Sequence, residues 1–199
     1  MADYNARIAP FINQIFYVTS PWWTERINPV TGQLQIHRGL DIATPSSVGN
    51  APVYSIVDDG IVIQQWHNNA SMGNALIIKS QTTGIATLFM HLDSFVKNLG
   101  DSVKINELVG YEGTTGQSTG IHLHVEMQDM TNKDNWTWSY NKDDYLNPTE
   151  YMGFPNLDNI SIYYDGSPYI PPTPIKWKKS KFNFLLFKKK DLNKIFYKN

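Results

Sequence analysis

The chain has 199 residues, 41% of them hydrophobic and 18% charged, which suits one medium domain with a real core and excludes a disordered or fibrous protein. It contains no cysteine, so disulfide frameworks, thiol nucleophiles and cysteine zinc sites are excluded, and any metal must be held by His, Asp, Glu or water. The net charge of −1 hides a split: residues 176–199 carry nine lysines and one acid, net +8, against −9 for residues 1–175.

At the amino terminus, Met1 to Ile8 lacks the basic-then-apolar layout of a secretory signal. Asp3–Ile15 reads as one short helix. No run approaches the ~18 consecutive apolar residues of a membrane span. Strands are predicted over Val53–Val57, Ile61–Trp66, Asn74–Lys79, Ile85–Met90, Glu107–Tyr111 and His122–Met127, each short, rich in β-branched or aromatic residues and bounded by turn chemistry. Asp58-Asp59-Gly60 reads as a hairpin turn with Gly60 at positive φ. Gly113 to Gly120 holds three glycines in eight residues and is a loop. Prolines then punctuate the chain, and residues 154–175 read as an extended connector. Beyond it, lysine clusters alternate with Phe and Leu, a loosely amphipathic stretch.

Four of the five histidines stand in contexts that make joint sense. His37 and Asp41 are four apart, a spacing that brings a nitrogen and a carboxylate oxygen together around one helical or tight turn. His122 and His124 share one face of a strand, since side chains alternate along it. His91 closes the apolar run that begins at Ile85. His67 sits among loop residues and reads as structural or solvent-exposed. A catalytic zinc takes three protein ligands and leaves one position for water, so this set leaves two histidines for proton transfer and charge stabilisation. Spacing alone leaves open which three bind the metal.

Together these segments resemble a known family. Ser20-Pro-Trp-Trp-Thr-Glu-Arg26 leading into His37-Arg-Gly39-Leu-Asp41, then Met90-His91-Leu92, then Gly113-Thr-Thr-Gly116-Gln-Ser-Thr-Gly120-Ile-His122-Leu-His124-Val-Glu126, resemble the lysostaphin/LytM-type zinc endopeptidases in content and order. The resemblance runs over roughly residues 20–150, with Leu146-Asn147-Pro148 as its closing segment. It implies an all-β fold whose antiparallel sheets form the floor of an open groove. It also implies Zn2+ held by His37, Asp41 and His124, with His91 and His122 as catalytic histidines, and a peptide cross-link of bacterial peptidoglycan as substrate. Trp22, Trp23, Tyr54 and Trp66 are candidates for lining that groove. Ile121 and the Trp22-Trp23 pair depart from the common pattern, at positions that shape the groove and spare the ligand set.

The chain accordingly divides into an N-terminal arm (1–19), a zinc endopeptidase domain (20–153), a Pro-rich connector (154–175) and a basic aromatic tail (176–199). The tail, with the absence of an export signal, points to a phage-encoded, virion-associated (tail tip) lysin. Its residues 176–199 would dock on a phage tail protein or bind anionic wall polymer or lipid. The location expected is the virion or the bacterial cell wall, and the lysine stripe is thin support for a nucleic-acid role. The competing reading is an inactive wall-binding or structural tail protein of the same fold.

Overall fold

Short runs of β-branched and aromatic residues set off by turn residues make the regular structure of the described residues almost entirely strand. The structure, a computed structural model, describes residues 2–45 and 50–167. The strands are β1 (Tyr4–Asn5), β2 (Gln14–Ser20), β3 (Thr24–Ile27), β4 (Leu34–His37), β5 (Leu40–Ala43), β6 (Pro52–Tyr54) and β7 (Gly60–Asn69). After them come β8 (Gly73–Ser80), β9 (Ile85–Leu92), β10 (Ser94–Phe95), β11 (Ser102–Val103), β12 (Leu108–Tyr111), β13 (Leu123–Asp129) and β14 (Ser161–Tyr164). One short helix, α1 (Pro148–Met152), follows β13. Among the described residues no helix is long and apolar enough to cross a membrane.

Nine strands form one sheet in the order β1-β14-β2-β5-β13-β9-β8-β7-β11, antiparallel except for the β1–β14 pair. A three-stranded sheet, β10-β12-β6, and the β3–β4 hairpin complete the β structure. The fold is thus all-β and antiparallel, as expected. Every residue of β9 and six of the seven in β13 are buried, so these central strands are covered on both faces. Leu146-Asn147-Pro148 leads into α1 and caps it. The Asn147 side chain accepts from the Thr149 N–H, Pro148 occupies the first helical turn, and Gly153 ends the helix with φ 88°.

Three expectations are corrected. Asp3–Ile15 is not a helix: Pro10 interrupts it, Ile8, Ala9 and Phe11 plug into the core, and the chain enters β2 at Gln14. Asp58-Asp59-Gly60 does not join paired strands, because β6 pairs with β12 and β7 with β8. There Asp59 takes the positive φ (49°), while Gly60 lies in β7 where a Cβ would stand 2.6 Å from Ile78 Cγ2. The boundaries drawn at 19/20 and 153/154 fall inside the sheet: β2 and β14 are hydrogen-bonded neighbours there, so neither a separate arm nor a connector over 154–167 exists. The remainder of that connector and the basic tail at 176–199 lie outside the described residues.

The central strands place the histidines. His124 of β13 is the Cα partner of Asp41 on β5 on one side and of Met90 on β9 on the other. His37 ends β4, and the two-residue corner Arg38-Gly39 turns the chain into β5, so His37 and Asp41 face each other across a tight bend. The β8–β9 register slips by one residue between Asn74/Leu92 and Leu76/Phe89. In that bulge His91 adopts φ 64°, a left-handed conformation that a non-glycine residue takes at a cost of about 1 kcal/mol or more.

Candidate metal centre

Three ligand atoms, one each from His37, Asp41 and His124, all lie within 4.8 Å of one another, and all three residues are buried. His37 Nε2 and His124 Nδ1 stand 3.1 Å and 2.8 Å from Asp41 Oδ1, and 3.1 Å from each other. A tetrahedral ion with bonds near 2.0–2.1 Å holds its ligand atoms ~3.3 Å apart, so this cluster needs only small shifts to accept one.

The outer hydrogen bonds decide which lone pairs face inward. His37 Nδ1 lies 3.2 Å from the Pro21 carbonyl, which can only accept, and 3.1 Å from Ser20 Oγ. That nitrogen therefore carries the proton and Nε2 turns a bare lone pair to the centre. His124 Nε2 donates to Glu126 Oε1 at 3.2 Å, which turns Nδ1 to the centre. Arg26 donates to the other Asp41 oxygen at 3.0 Å. Two nitrogen lone pairs and a carboxylate oxygen converging in a buried space call for a positive charge between them. The energetics agree. Burial pushes the Asp41 carboxyl up, but with a proton in the place an ion would fill, hydrogen bonds from His124 and His37 outweigh it and hold the group well below its ordinary range. Burial pulls His124 down, yet Asp41 and Glu126 raise it to about 9: a proton and a metal ion compete for its inward nitrogen, and the pocket favours a cation there. Nitrogen and oxygen donors with an outer hydrogen-bonding shell are the chemistry of a zinc site.

His91 and His122 stand beside this cluster, their ring centroids 4.7 Å apart, with His91 6.0 Å from His124. His91 Nδ1 donates to the Thr115 carbonyl at 2.8 Å, and His122 Nδ1 donates to the Gly120 carbonyl at 2.8 Å. Each therefore keeps a bare Nε2, and that of His122 is 3.8 Å from Asp41 Oδ1. Burial, reinforced by the neighbouring His124 and His122, lowers His91 to about 4, which keeps it neutral near pH 7. Gly39 makes room for the cluster, since a Cβ on it would stand 2.2 Å from His124 Nε2.

A groove of about 380 Å³ opens over these residues, walled by Arg26, Arg38, Gln117 and Tyr140 among others. The expected aromatic wall is corrected: none of Trp22, Trp23, Tyr54 or Trp66 lines this groove. Trp22 is buried and packs on Trp23, which is half-buried and packs on Tyr145. Tyr54 lies on β6 in the small sheet, and Trp66 packs edge-on to Trp138. The rings that do line it are Trp138 and Tyr140. The alternation Trp136-Thr-Trp138-Ser-Tyr140 was the available signal for them. His67 is exposed and packs on Phe95 at 4.9 Å, away from the cluster.

Fold and donor set together define a zinc metallopeptidase domain. A model of peptidase family M23 matches residues 35–137, more than half of the chain, and the chain belongs to that family. It is 38% identical over 110 residues to the peptidoglycan DD-endopeptidase ShyB of Vibrio cholerae, covering 55% of this chain and 24% of that protein. A zinc-containing peptidase from Vibrio cholerae superposes with a TM-score of 0.51 at 36% identity, over 61% of this chain and 35% of that one. The catalytic domain of lysostaphin from Staphylococcus simulans shares the fold, with a TM-score of 0.50 at 22% identity over 70% of this chain and 91% of that one. The chain spans about a quarter of the length of the curated relatives it matches.

Proposed function

We propose that the chain is a zinc-dependent endopeptidase that hydrolyses peptide cross-links of bacterial peptidoglycan, with His37, Asp41 and His124 as ligands and His91 and His122 as the catalytic histidines. The observation that carries this reading is the convergence of three inward-facing donor atoms beside two further imidazoles whose Nδ1–H groups are tied to carbonyls and whose Nε2 atoms are left for a proton. Zinc, when bound, acts as a Lewis acid on the scissile carbonyl and makes water nucleophilic at neutral pH. The chain's own residues then handle the proton. An Nε2 of the His91–His122 pair accepts it from the attacking water, and the departing amine receives it as the peptide C–N bond breaks. The Nδ1–H donors, tied to loop carbonyls, keep both rings in the tautomer this requires. Family membership and the likeness to a peptidoglycan DD-endopeptidase support the substrate class.

Purified peptidoglycan should lose turbidity with the protein, stop doing so with a chelator, and resume when zinc is restored. Mass spectrometry of the products should find new peptide termini and intact glycan. Intact cross-links after zinc loading would sink the reading. We further propose cell-wall action from a phage virion, supported by the +8 charge of residues 176–199 against −9 for the rest. Particles assembled with the chain lacking 176–199 should lose it, and retention at the normal copy number would refute the docking role.

A further inference from the structure

The groove ends on two rings that the peptide chemistry above does not use. Trp138 is 49% exposed and Tyr140 78% exposed, and both lie beyond the 35–137 stretch matched to the family. Single exposed aromatics are ordinary, but Trp138 is packed in place and one guanidinium meets both rings. Trp138 packs against Trp66 and Trp136, with centroids 6.4 and 6.3 Å away. The buried Gln128 amide donates to the Thr137 carbonyl at 2.7 Å and accepts from the Thr137 N–H at 3.1 Å. The Tyr145 hydroxyl meets both the N–H and the carbonyl of Ser139 at 3.2 Å. The Arg38 guanidinium lies over both rings, 5.7 Å from the Trp138 centroid and 5.3 Å from that of Tyr140.

We infer that Trp138, Tyr140 and Arg38 form a saccharide subsite that takes an N-acetylated amino sugar of the glycan strand to which the cleaved peptide is attached. This rests on the peptidoglycan reading above. A flat apolar ring covers the C–H face of a pyranose, and a planar group with several donors beside it reaches hydroxyl and acetamido oxygens at the sugar's edge. A short peptide offers backbone oxygens to the guanidinium but no ring-sized C–H face to stack. Because Trp138 is already packed against Trp66 and Trp136, stacking on it costs little side-chain entropy.

Chitotetraose, a β-1,4-linked N-acetylglucosamine oligomer, serves as the direct probe, titrated into the full chain and followed by tryptophan fluorescence and NMR. Saturable binding is expected, with Kd raised about tenfold or more by Trp138→Ala and by Tyr140→Ala. Tyr140 is exposed enough to be changed without disturbing the core, and Trp138→Tyr should restore much of the binding. In kinetics, a cross-linked peptide bearing its glycan should show a KM about tenfold below that of the same peptide without it. That ratio should fall toward one in Tyr140→Ala. No saturable binding by the wild type, or a KM ratio that survives both substitutions, overturns the subsite. A wild-type chain that binds the oligosaccharide but cleaves neither substrate overturns the peptidoglycan-hydrolase reading and leaves the subsite standing.

Discussion

Asp41, His37 and His124 are braced by the sheet and by other side chains, whereas His91 and His122 both hang from carbonyls of the single loop between Gly113 and Gly120. On the first side, β5 and β13 pair directly at Asp41 and His124, and Arg26 and Glu126 hold the outer atoms of the ligands. On the second, Thr115 and Gly120 orient the two rings, and Ser118 Oγ lies 3.3 Å from His122 Nδ1. A metal position gains from rigid ligands, because an ion that must first gather its donors binds weakly. Groups that pass a proton gain from a backbone that can adjust by tenths of an ångström as the substrate enters.

Substitutions can break this comparison. The largest effect is expected on the braced side: Asp41→Ala or His37→Ala should lose the metal, and activity with it, by on the order of 10⁴-fold or more. Metal analysis finding stoichiometric zinc without Asp41 would refute the ligand assignment. His91→Ala and His122→Ala should keep full zinc and lose turnover by about 10²–10⁴-fold, so the two sides separate when metal content and kcat are measured together. Zinc competition assays on Glu126→Gln should give an affinity ~10–100-fold weaker, because His124 loses its charged hydrogen-bond acceptor. Gly39→Ala should weaken zinc further, its methyl being forced against the His124 ring.

The smallest effect is expected away from both sides, at Glu112. This fully buried carboxylate accepts from Thr44 N–H at 3.1 Å and from Thr44 Oγ1 at 2.6 Å, and burial raises it above its ordinary value of 4.5 despite those bonds. Just above pH 4.5 the folded chain therefore holds more of this proton than the unfolded one, so this group contributes a downward slope of stability as pH rises there. Glu112→Gln should flatten that slope in urea titrations run from pH 4.5 upward. An unchanged slope would show that Glu112 contributes nothing to it.

Strand after strand in the middle of the chain was legible because β-branched runs and turn residues act locally. The six predicted strands correspond to β6, β7, β8, β9, β12 and β13, with ends that moved by a few residues. Asp3–Ile15 misled because apolar spacing alone does not reveal that Ile8 and Phe11 anchor an irregular chain. Ser161–Tyr164 was hidden among prolines, since its place beside β2 depends on a partner some 140 residues away. Of the site, the same strand alternation that groups His122 with His124 also brings Glu126 to that face, a signal that went unused. The aromatic wall was misassigned because composition supplies rings without saying which way they face.

The order of residue types along the chain determined the chemistry available: no thiol, a histidine and an aspartate four apart, and two histidines on one strand face. Only the tertiary structure decided which lone pairs point inward and which rings reach the groove. Those outcomes depend on hydrogen bonds between segments distant in sequence, such as His124 with Asp41 and His91 with the Thr115 carbonyl, and no local propensity encodes them.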